Sequence, residues 1–442
     1  MAAKKGSLSI SSENIFPIIK KWVYSDHDIF ARELVSNGCD AITKLKKLDM
    51  MGEYQLPDDY KPAIQVVVNP EDKTLKFIDN GLGMTADEVE EYITQIAFSG
   101  AEEFLEKYKE KSEESAGIIG HFGLGFYSAF MVSDTVEIET LSYKEGAKPV
   151  HWVSAGEDSY EIEDGTRTEH GTTIIMNITE EEQEFLQESR IREILHKYCQ
   201  FMPYEIYLNP HDEERPVYDK DGNIEKNEDG TEKKRIVKPL PINDIHPLWL
   251  KAPKDCTDED YKAFYQKVFM DFNEPLFWIH LNVDYPFNLK GILYFPKQLN
   301  RMEVMPGQVK LYSNQVFVAD NIKEIIPEFL LLLKGVIDCP DMPLNVSRSF
   351  LQNDGEVQKI AQHITKKVSD KLHQIFKNDR PSYEKYWNDI SAFIKFGCLK
   401  DQKFSEKMMD YILFKNLDEG YSAVQDHRWR VQDPGRISKS RR

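Results

Sequence analysis

Two glycine clusters in the first third of the chain have the residue types and order of a nucleotide site. Residues 77–84 place Asp79 between an apolar stretch and a Gly-Leu-Gly turn, where its carboxylate could accept a hydrogen bond from an amine such as that of adenine. Glycine in such a turn lets the backbone approach a flat ring. Residues 117–126 hold four glycines, two of which precede an apolar run, 122–132, that we expect to be a helix. Backbone N–H groups at its start could receive phosphate oxygens, so the clusters predict an ATP pocket with a base end and a phosphate end.

A third cluster precedes both glycine segments. Glu33 and Asn37 are four residues apart, which places them on one helix face, with Asp40 on the same side. A separate apolar stripe should face the core, and it consists of Ile29, Phe30, Leu34, Ile42 and Leu45. Singly, each cluster is more often structural, as a turn or as a solvated face. Together they favour a site in which an acid and an amide align a water and hold Mg²⁺.

Further elements must position these clusters. We expect strands over 63–69, 74–78, 136–141, 151–154 and 172–178, and a capping-box start at residues 25–28 for the helix that carries Glu33. Beyond about residue 240, we expect strands over 276–283, 289–295 and 309–318, with helices near 324–333 and 356–376. Residues 211–238 are dense in charge, which favours a linker; a hairpin turning at Asp229-Gly230 is the alternative.

Five segments resemble the signature segments of the ninety-kilodalton heat-shock protein family in its bacterial form. They are residues 33–37, 79–84, 96–100, 120–128 and 344–348. The resemblance runs from about residue 9 to about residue 416, and five segments in order are far more specific than one glycine motif. The wider ATPase fold family, shared with gyrase B subunits, MutL and sensor histidine kinases, accounts for the first segments, and the last one narrows the choice.

The resemblance implies an α+β N-terminal ATPase domain, a GHKL-type α/β sandwich with a mixed sheet and helices on one face, followed by an α/β middle domain. The limits that it implies are 1–210 for the first domain with a lid at about 94–120, 211–238 for a charged linker and 239–442 for the middle domain. Residues from about 417 to 442 are basic and unlike the family. The C-terminal dimerisation domain of the family has no counterpart, so we expect a truncated middle domain.

The resemblance also assigns roles to individual residues. Glu33 would orient the attacking water, and Arg348 with Gln352 would reach the γ-phosphate from the second domain, although Arg348 taken alone would more often pair with a surface carboxylate. Asn37 would hold Mg²⁺ through its side-chain oxygen. The implied nucleotide-binding residues are Asn37, Asp40, Asp79, Gly83, Met84, Ser99, Gly100, Gly120, His121, Phe122, Gly123, Gly125, Phe126 and Thr172. Phe98, His121 and Ser349 depart from the residues usual in the family.

The implied function is that of an ATP-dependent molecular chaperone, a weak ATPase whose lid and domain closure remodels non-native client proteins. Its implied cofactors are ATP and Mg²⁺, and a homodimer through the C-terminal domain of a full-length form is possible. The alternatives are a DNA-linked ATPase of the gyrase B or MutL type and a nucleotide-binding scaffold without turnover. An arginine loop, where the DNA-linked relatives use a lysine, argues against the first alternative.

The composition limits the kinds of binding partner and the cellular location that we expect. The 442 residues include 56 basic and 75 acidic side chains, a net charge of −19, which disfavours a nucleic-acid partner held by phosphate neutralisation. No stretch is long and apolar enough to span a bilayer, and residues 1–13 lack the apolar core of a signal peptide, so we expect a cytoplasmic protein. The five cysteines are scattered without a C-x-x-C pair, which predicts reduced thiols and neither a metal site nor a disulfide framework.

Overall fold

The computed structural model describes residues 26–94, 118–120, 123–156, 159–218, 224–227, 231–297, 308–320, 326–330, 332–342, 344, 355–416 and 420–426. These residues form two compact units. The first comprises the described residues up to His246, and the second comprises Pro247–Ser313 and the described residues from Phe317 onward.

The first unit is built on a seven-stranded mixed sheet in the order β5-β4-β3-β6-β2-β1-β7. Its strands are β1 (Ala63–Asn69), β2 (Thr74–Asp79), β3 (Ser133–Leu141), β4 (Val150–Ser154), β5 (Glu161–Asp164), β6 (Gly171–Ile178) and β7 (Glu205–Leu208). Only β1 and β7 run parallel, and the other neighbours are antiparallel. Burial alternates along β1, β3 and β6, so one face of the sheet packs against the core.

Helices cover that face. They are α1 (Ile29–Met50), α2 (Ala86–Tyr92) and α3 (Glu188–Cys199), with 3₁₀ segments at Phe126–Met131 and Glu180–Leu186. All five apolar residues of the predicted stripe on α1 are buried, and the ring of Phe30 lies edge-on to Phe77 of β2 and to Phe185. The predicted sandwich, a mixed sheet with helices on one face, is therefore confirmed.

Two local expectations about helix starts were wrong. The run 122–132 is not one helix; its described part becomes a 3₁₀ segment only at Phe126, four residues later than predicted. At the start of α1, the N-cap Asp28 makes no side-chain capping bond, because its carboxylate pairs with Arg190 while its N–H donates to Asp26. Ser25, the other half of the predicted capping box, lies outside the described residues.

The charged segment after residue 210 is paired rather than open. Strands β8 (Glu213–Pro216) and β9 (Lys234–Val237) are antiparallel, and bridges join Tyr218 to Ile224 and Lys226 to Glu232. The hairpin alternative therefore holds for the described part, whereas Asp229 and Gly230 lie outside it. The strands are nearly all exposed, as their charge predicted. Past the hairpin, the chain pairs with strand β7, since the N–H of Ile242 donates to the carbonyl of Ile206.

The second unit holds a five-stranded sheet in the order β10-β11-β14-β12-β13, in which β12 and β14 are parallel. Its strands are β10 (Phe277–Val283), β11 (Leu289–Phe295), β12 (Gln308–Ser313), β13 (Val316–Asp320) and β14 (Lys334–Asp338), with a separate pair, β15 (Leu413–Lys415) and β16 (Tyr421–Ala423). Its helices are α4 (Asp258–Phe269), α5 (Gly355–Asn378), α6 (Arg380–Lys400) and α7 (Gln402–Met408). The apolar face of α5, from Val357 to Phe376, belongs to the core of this α/β unit.

Two predictions for the second unit were wrong. The single strand expected over 309–318 is two strands, because Asn314 and Gln315 both adopt positive φ and reverse the chain. The helix expected near 324–333 is a 3₁₀ turn, Glu328–Leu330, in its described part. The helix expected over 356–376 is confirmed as α5.

All five cysteines are free thiols; Cys39, Cys199 and Cys339 are buried, and the other two are half-buried. Within the part of the chain that the structure describes, no helix is long and apolar enough to cross a membrane.

Candidate nucleotide site

The base end of the site is the turn that follows β2. Asp79 is the last residue of β2, opposite Thr172 of β6 in the strand register, and its Oδ1 accepts a hydrogen bond from the N–H of Gly81 at 2.8 Å. Burial raises the pKa of the half-buried Asp79 to about 6, although the N–H groups of Gly81 and Thr172 and the charge of Arg167 oppose that shift. A carboxylate held in this way is ready to accept from a ligand donor.

Backbone packing leaves no room for side chains around this turn. Gly83 has a φ of +62°, and a Cβ added there would lie 1.8 Å from the carbonyl oxygen of Leu141. A Cβ on Gly81 would lie 2.6 Å from Ala41 of α1, and one on Gly171 would lie 2.2 Å from the carbonyl oxygen of Asp79. These glycines therefore permit three close backbone approaches that fix the position of the turn.

Met84 and Thr172 are linked through Thr140, a residue that no sequence motif indicated. Thr140, fully buried on β3, accepts a hydrogen bond from the N–H of Met84 at 2.9 Å and lies 3.0 Å from the hydroxyl of Thr172. Its own hydroxyl also bonds the carbonyl of Gly171 at 3.1 Å. The far end of the turn is thus attached to β3 and β6.

The phosphate end is where α1 meets the second glycine segment. A Cβ added to Gly125 would lie 2.8 Å from Oε2 of Glu33 and 3.7 Å from Oδ1 of Asn37. Glu33 is buried and its other oxygen accepts from Arg32, whereas Asn37 is half-buried. The oxygen atoms of an acid, Glu33, and of an amide, Asn37, therefore lie beside the backbone of Gly125.

Asp40 is placed differently from its two neighbours on the α1 face. Its two carboxylate oxygens accept hydrogen bonds from the N–H groups of Ile119 and Gly120, at 2.7 and 2.6 Å. In this conformation, Asp40 anchors the glycine segment, and the Gly120 N–H that was expected to be free for phosphate is engaged. Sequence spacing alone did not indicate this long-range contact between α1 and the second glycine segment.

Phe126 contributes its side chain to the core rather than to the site. Its ring is buried and lies 5.5 Å from Tyr127, 6.0 Å from Phe130 and 5.9 Å from Trp152, measured between ring centroids. The prediction that Phe126 binds nucleotide therefore rests on its backbone N–H and not on its ring.

Six of the predicted site residues lie outside the described part of the chain: Ser99, Gly100, His121, Phe122, Arg348 and Gln352. Around the turn, the structure adds Tyr60, Arg167 and His170, which the motifs did not single out. No group of three or more His, Cys, Asp or Glu side chains that could hold a metal occurs among the described residues. The oxygen atoms of Asn37 and Glu33 fit Mg²⁺ only as a partial ligand set completed by phosphate and water.

Comparison with known protein families assigns both halves of the chain. A family model described as "Hsp90 protein" matches residues 184–428, more than half of the chain, and a model described as "Histidine kinase-, DNA gyrase B-, and HSP90-like ATPase" matches residues 30–180. The second match contains the pocket described above.

Three individual relatives of the chain are all named "Chaperone protein HtpG". The chain is 48% identical over 430 residues to "Chaperone protein HtpG" of Porphyromonas gingivalis and 48% identical over 433 residues to that of Bacteroides thetaiotaomicron, with 97% of this chain and 60% of each relative covered. It is 34% identical over 420 residues to "Chaperone protein HtpG" of Fusobacterium nucleatum, covering 93% of this chain and 64% of the relative. The chain thus spans less than two thirds of the length of these relatives.

Proposed function

The chain belongs to the Hsp90 protein family, and on that premise we propose that it binds ATP in the site described above and hydrolyses it slowly to ADP and phosphate. We further propose that this turnover serves a chaperone acting on non-native client proteins, as the names of its relatives suggest. The single observation that carries the proposal is the position of Gly125 beside both Glu33 and Asn37, which places an acid and an amide next to the glycine backbone that would receive phosphate.

Each end of the pocket has a separate task in this proposal. At the base end, the carboxylate of Asp79 accepts a hydrogen bond from the exocyclic amine of adenine. At the phosphate end, Glu33 orients a water molecule and takes its proton. The side-chain oxygen of Asn37 would be a ligand of Mg²⁺, together with phosphate oxygens. Magnesium bound there would neutralise phosphate charge. Arg348 and Gln352 remain in the proposal through the family resemblance.

The domain limits of 1–210, 211–238 and 239–442, the lid at about 94–120 and a cytoplasmic location also remain proposals. Residues 95–117, which make up most of the proposed lid, lie outside the described residues. The match of residues 184–428 to the Hsp90 model favours a chaperone over a DNA-linked ATPase, since the other matched model covers both classes.

Calorimetry with ATP and Mg²⁺ tests the nucleotide proposal. The parent should bind ATP, and Asp79→Asn should weaken binding by ~1–3 kcal/mol because an amide presents one acceptor oxygen instead of two. Unchanged affinity in this variant would remove Asp79 from the base pocket. Suppression of aggregation of a heat-denatured protein, measured with and without ATP, tests the chaperone proposal. Submicromolar DNA binding near physiological salt, with DNA-stimulated turnover, would favour the DNA-linked alternative.

A further inference from the structure

Three consecutive backbone carbonyls of the base-end turn, residues 79–81, each accept a hydrogen bond from a different side chain. The donors, in chain order of the carbonyls, are Arg167 Nη2 at 2.8 Å, the Tyr60 hydroxyl at 2.9 Å and His170 Nδ1 at 2.8 Å. A carbonyl oxygen can only accept, so Nδ1 of His170 carries the hydrogen in this arrangement. We call these three side chains the carbonyl brace.

The brace acts where the strand ladder ends. β2 stops at Asp79, so the next two carbonyls have left its regular pairing. On the other side of the turn, Asp79 itself accepts from the Gly81 N–H. The turn is therefore fixed both through its carbonyls and through its carboxylate, and rotation of any of its peptide planes would break a bond on one side.

The brace residues are themselves held in place. Arg167 donates from Nη1 to the hydroxyl of Thr173 at 2.5 Å and from Nε to the carbonyl of Glu169 at 2.9 Å. The ring of His170 lies edge-on to Tyr54 at 6.3 Å and 5.8 Å from the ring of Tyr60. Since the donors are already ordered, little conformational entropy remains to be lost when a ligand binds against the turn.

We propose that Arg167, Tyr60 and His170 are positioning residues for base recognition, which keep the Asp79 carboxylate aimed at the amine of the bound base. This inference rests on the proposed nucleotide site and extends it to residues that would not touch the ligand. A carboxylate fixed in direction favours a base that presents an amine over one that presents a carbonyl oxygen at the same place, since the second would leave two acceptors facing each other.

Arg167 has an additional electrostatic role. Its charge opposes the burial that raises the pKa of Asp79, so it keeps more of the carboxylate ionised near neutral pH. Among the described residues, the phenol of Tyr60 and the thiol of Cys39 also interact with Asp79, and burial raises the pKa of both above their usual values. The imidazole of His170, bonded to the carbonyl of Gly81, is a further titratable group beside the turn. Tyr60 and Cys39 are therefore neutral in the range where Asp79 titrates, and Arg167 supplies the charge that acts on Asp79. His170→Phe removes the imidazole, so its pH profile separates any contribution of His170 from that of Asp79.

The test is calorimetry of adenosine and inosine binding to the full chain between pH 5 and pH 8. These nucleosides differ in an amine against a carbonyl and carry no phosphate that would titrate in this range. The parent should prefer adenosine, and its affinity for adenosine should fall about tenfold per pH unit below about pH 6, as Asp79 takes up a proton.

Arg167→Gln keeps hydrogen-bonding capacity but removes the charge, so the midpoint of the pH profile should move up by roughly half a unit to one unit. Arg167→Lys restores the charge without the fork of donors, so its midpoint should return towards that of the parent while adenosine affinity stays reduced. Tyr60→Phe and His170→Phe each remove one donor and should weaken adenosine binding by roughly 3- to 10-fold and lower its preference over inosine. Arg192→Gln, which removes an exposed charge paired with Glu188, is the matched control and should change nothing.

The outcomes separate the two proposals. A parent-like midpoint in Arg167→Gln, together with a parent-like adenosine-to-inosine ratio in Tyr60→Phe and His170→Phe, would overturn the brace and leave the nucleotide site standing. Failure of the parent to bind either adenosine or ATP at any pH would overturn both, whereas binding of ATP without binding of adenosine would overturn the brace alone. If Arg167→Gln does not fold, the base ratio in Tyr60→Phe decides alone, because this substitution removes a single oxygen atom.

Discussion

Arg32 donates two hydrogen bonds to the same carboxylate oxygen of Glu33, from Nε at 3.0 Å and from Nη2 at 2.7 Å. Both side chains are almost inaccessible, and the guanidinium also lies 5.8 Å from the ring centroid of Tyr198. The second oxygen of Glu33 is the one nearest to Gly125. The proposed catalytic base is thus also half of a buried ion pair, so any substitution of Glu33 acts on stability as well as on chemistry.

Glu33→Gln should separate these two effects. The amide keeps the size of the side chain and one acceptor oxygen for Arg32, so ATP affinity should stay within about threefold of the parent, whereas turnover should fall by about 10²–10⁴-fold because the base is lost. Glu33→Ala is the poorer test, since leaving the guanidinium without this partner would cost roughly 3–5 kcal/mol. Steady-state phosphate release and calorimetry measure the two quantities. Glu193→Gln, at an exposed ion pair with Arg190, is the control, and parent-like turnover in Glu33→Gln would refute its role as base.

Gly125→Ala should impair turnover by displacing Glu33 rather than by straining the backbone. Gly125 has φ −59° and ψ −39°, which any residue can adopt, but the added Cβ would lie 2.8 Å from Oε2 of Glu33. A displacement of about 1 Å at a catalytic group can cost about 10²-fold, so we expect a loss of kcat of that order with a small change in the unfolding midpoint.

The control for that substitution is Gly355→Ala, where an added Cβ meets no atom of the described residues within 4 Å. If Gly125→Ala turns over ATP like the parent, Gly125 does not face the reacting end of the site.

Asp79→Asn should stabilise the unliganded protein above pH 6 although it weakens nucleotide binding. The folded-state pKa of about 6 lies above the ordinary value of 3.8, so the native state binds the proton more tightly than the unfolded chain does. The parent therefore loses stability as pH rises from about 4 to about 6, and the ionised carboxylate then carries a cost of up to about 3 kcal/mol. The asparagine variant avoids that cost. Hydrogen exchange of peptides from β1 and β2 should show greater protection than in the parent at pH 7.5 and equal protection near pH 4; lower protection at pH 7.5 would contradict the assignment.

Gly83→Ala compared with Gly146→Ala isolates the cost of backbone contact. Both glycines have positive φ, +62° and +76°, so alanine is strained by about 1–2 kcal/mol at either position. Only at Gly83 would the new Cβ also collide with a backbone oxygen, that of Leu141, while Gly146 is open. Thermal unfolding should therefore show a loss about 1–3 kcal/mol larger for Gly83→Ala. Equal losses would mean that the turn can move away from β3.

Sequence patterns predicted the regular elements of the first unit well because the signals there are local. Alternation along 63–69 and 172–178 marks half-buried strands, and the stripe that includes Phe30 and Leu34 marks the buried face of α1. The predictions of secondary structure failed where the backbone conformation of a few residues overrode the hydrophobic pattern. At 309–318, continuous apolar character concealed a reversal that requires positive φ at Asn314 and Gln315.

The residues at the base end and the phosphate end of the site could be predicted from the sequence, but the hydrogen bonds that hold them in place could not. Asp79, Glu33 and Asn37 belong to recognisable motifs, whereas the contact of Asp40 with residues 119–120 joins positions some 80 residues apart. The brace residue Arg167 bonds a carbonyl 88 positions away, and no periodicity encodes such a pairing. Hydrogen bonds to the backbone depend on tertiary placement, so sequence spacing indicates which side chains could donate but not to which carbonyl.

Helix α1 fixes the distance between the two ends of the proposed site. Glu33 marks one end of the pocket, while Gly38, whose added Cβ would lie 3.3 Å from Asp79, and Ala41, which abuts Gly81, mark the other. With a rise of about 1.5 Å per residue, the two marks are roughly 8–12 Å apart along a rigid axis. A ligand anchored at Asp79 must cover this distance before it meets the acid. The length of the phosphate tail therefore selects among ligands. A nucleoside occupies only the base end and does not reach Glu33, whereas a nucleotide with an extended phosphate tail spans the distance from Asp79 to Glu33.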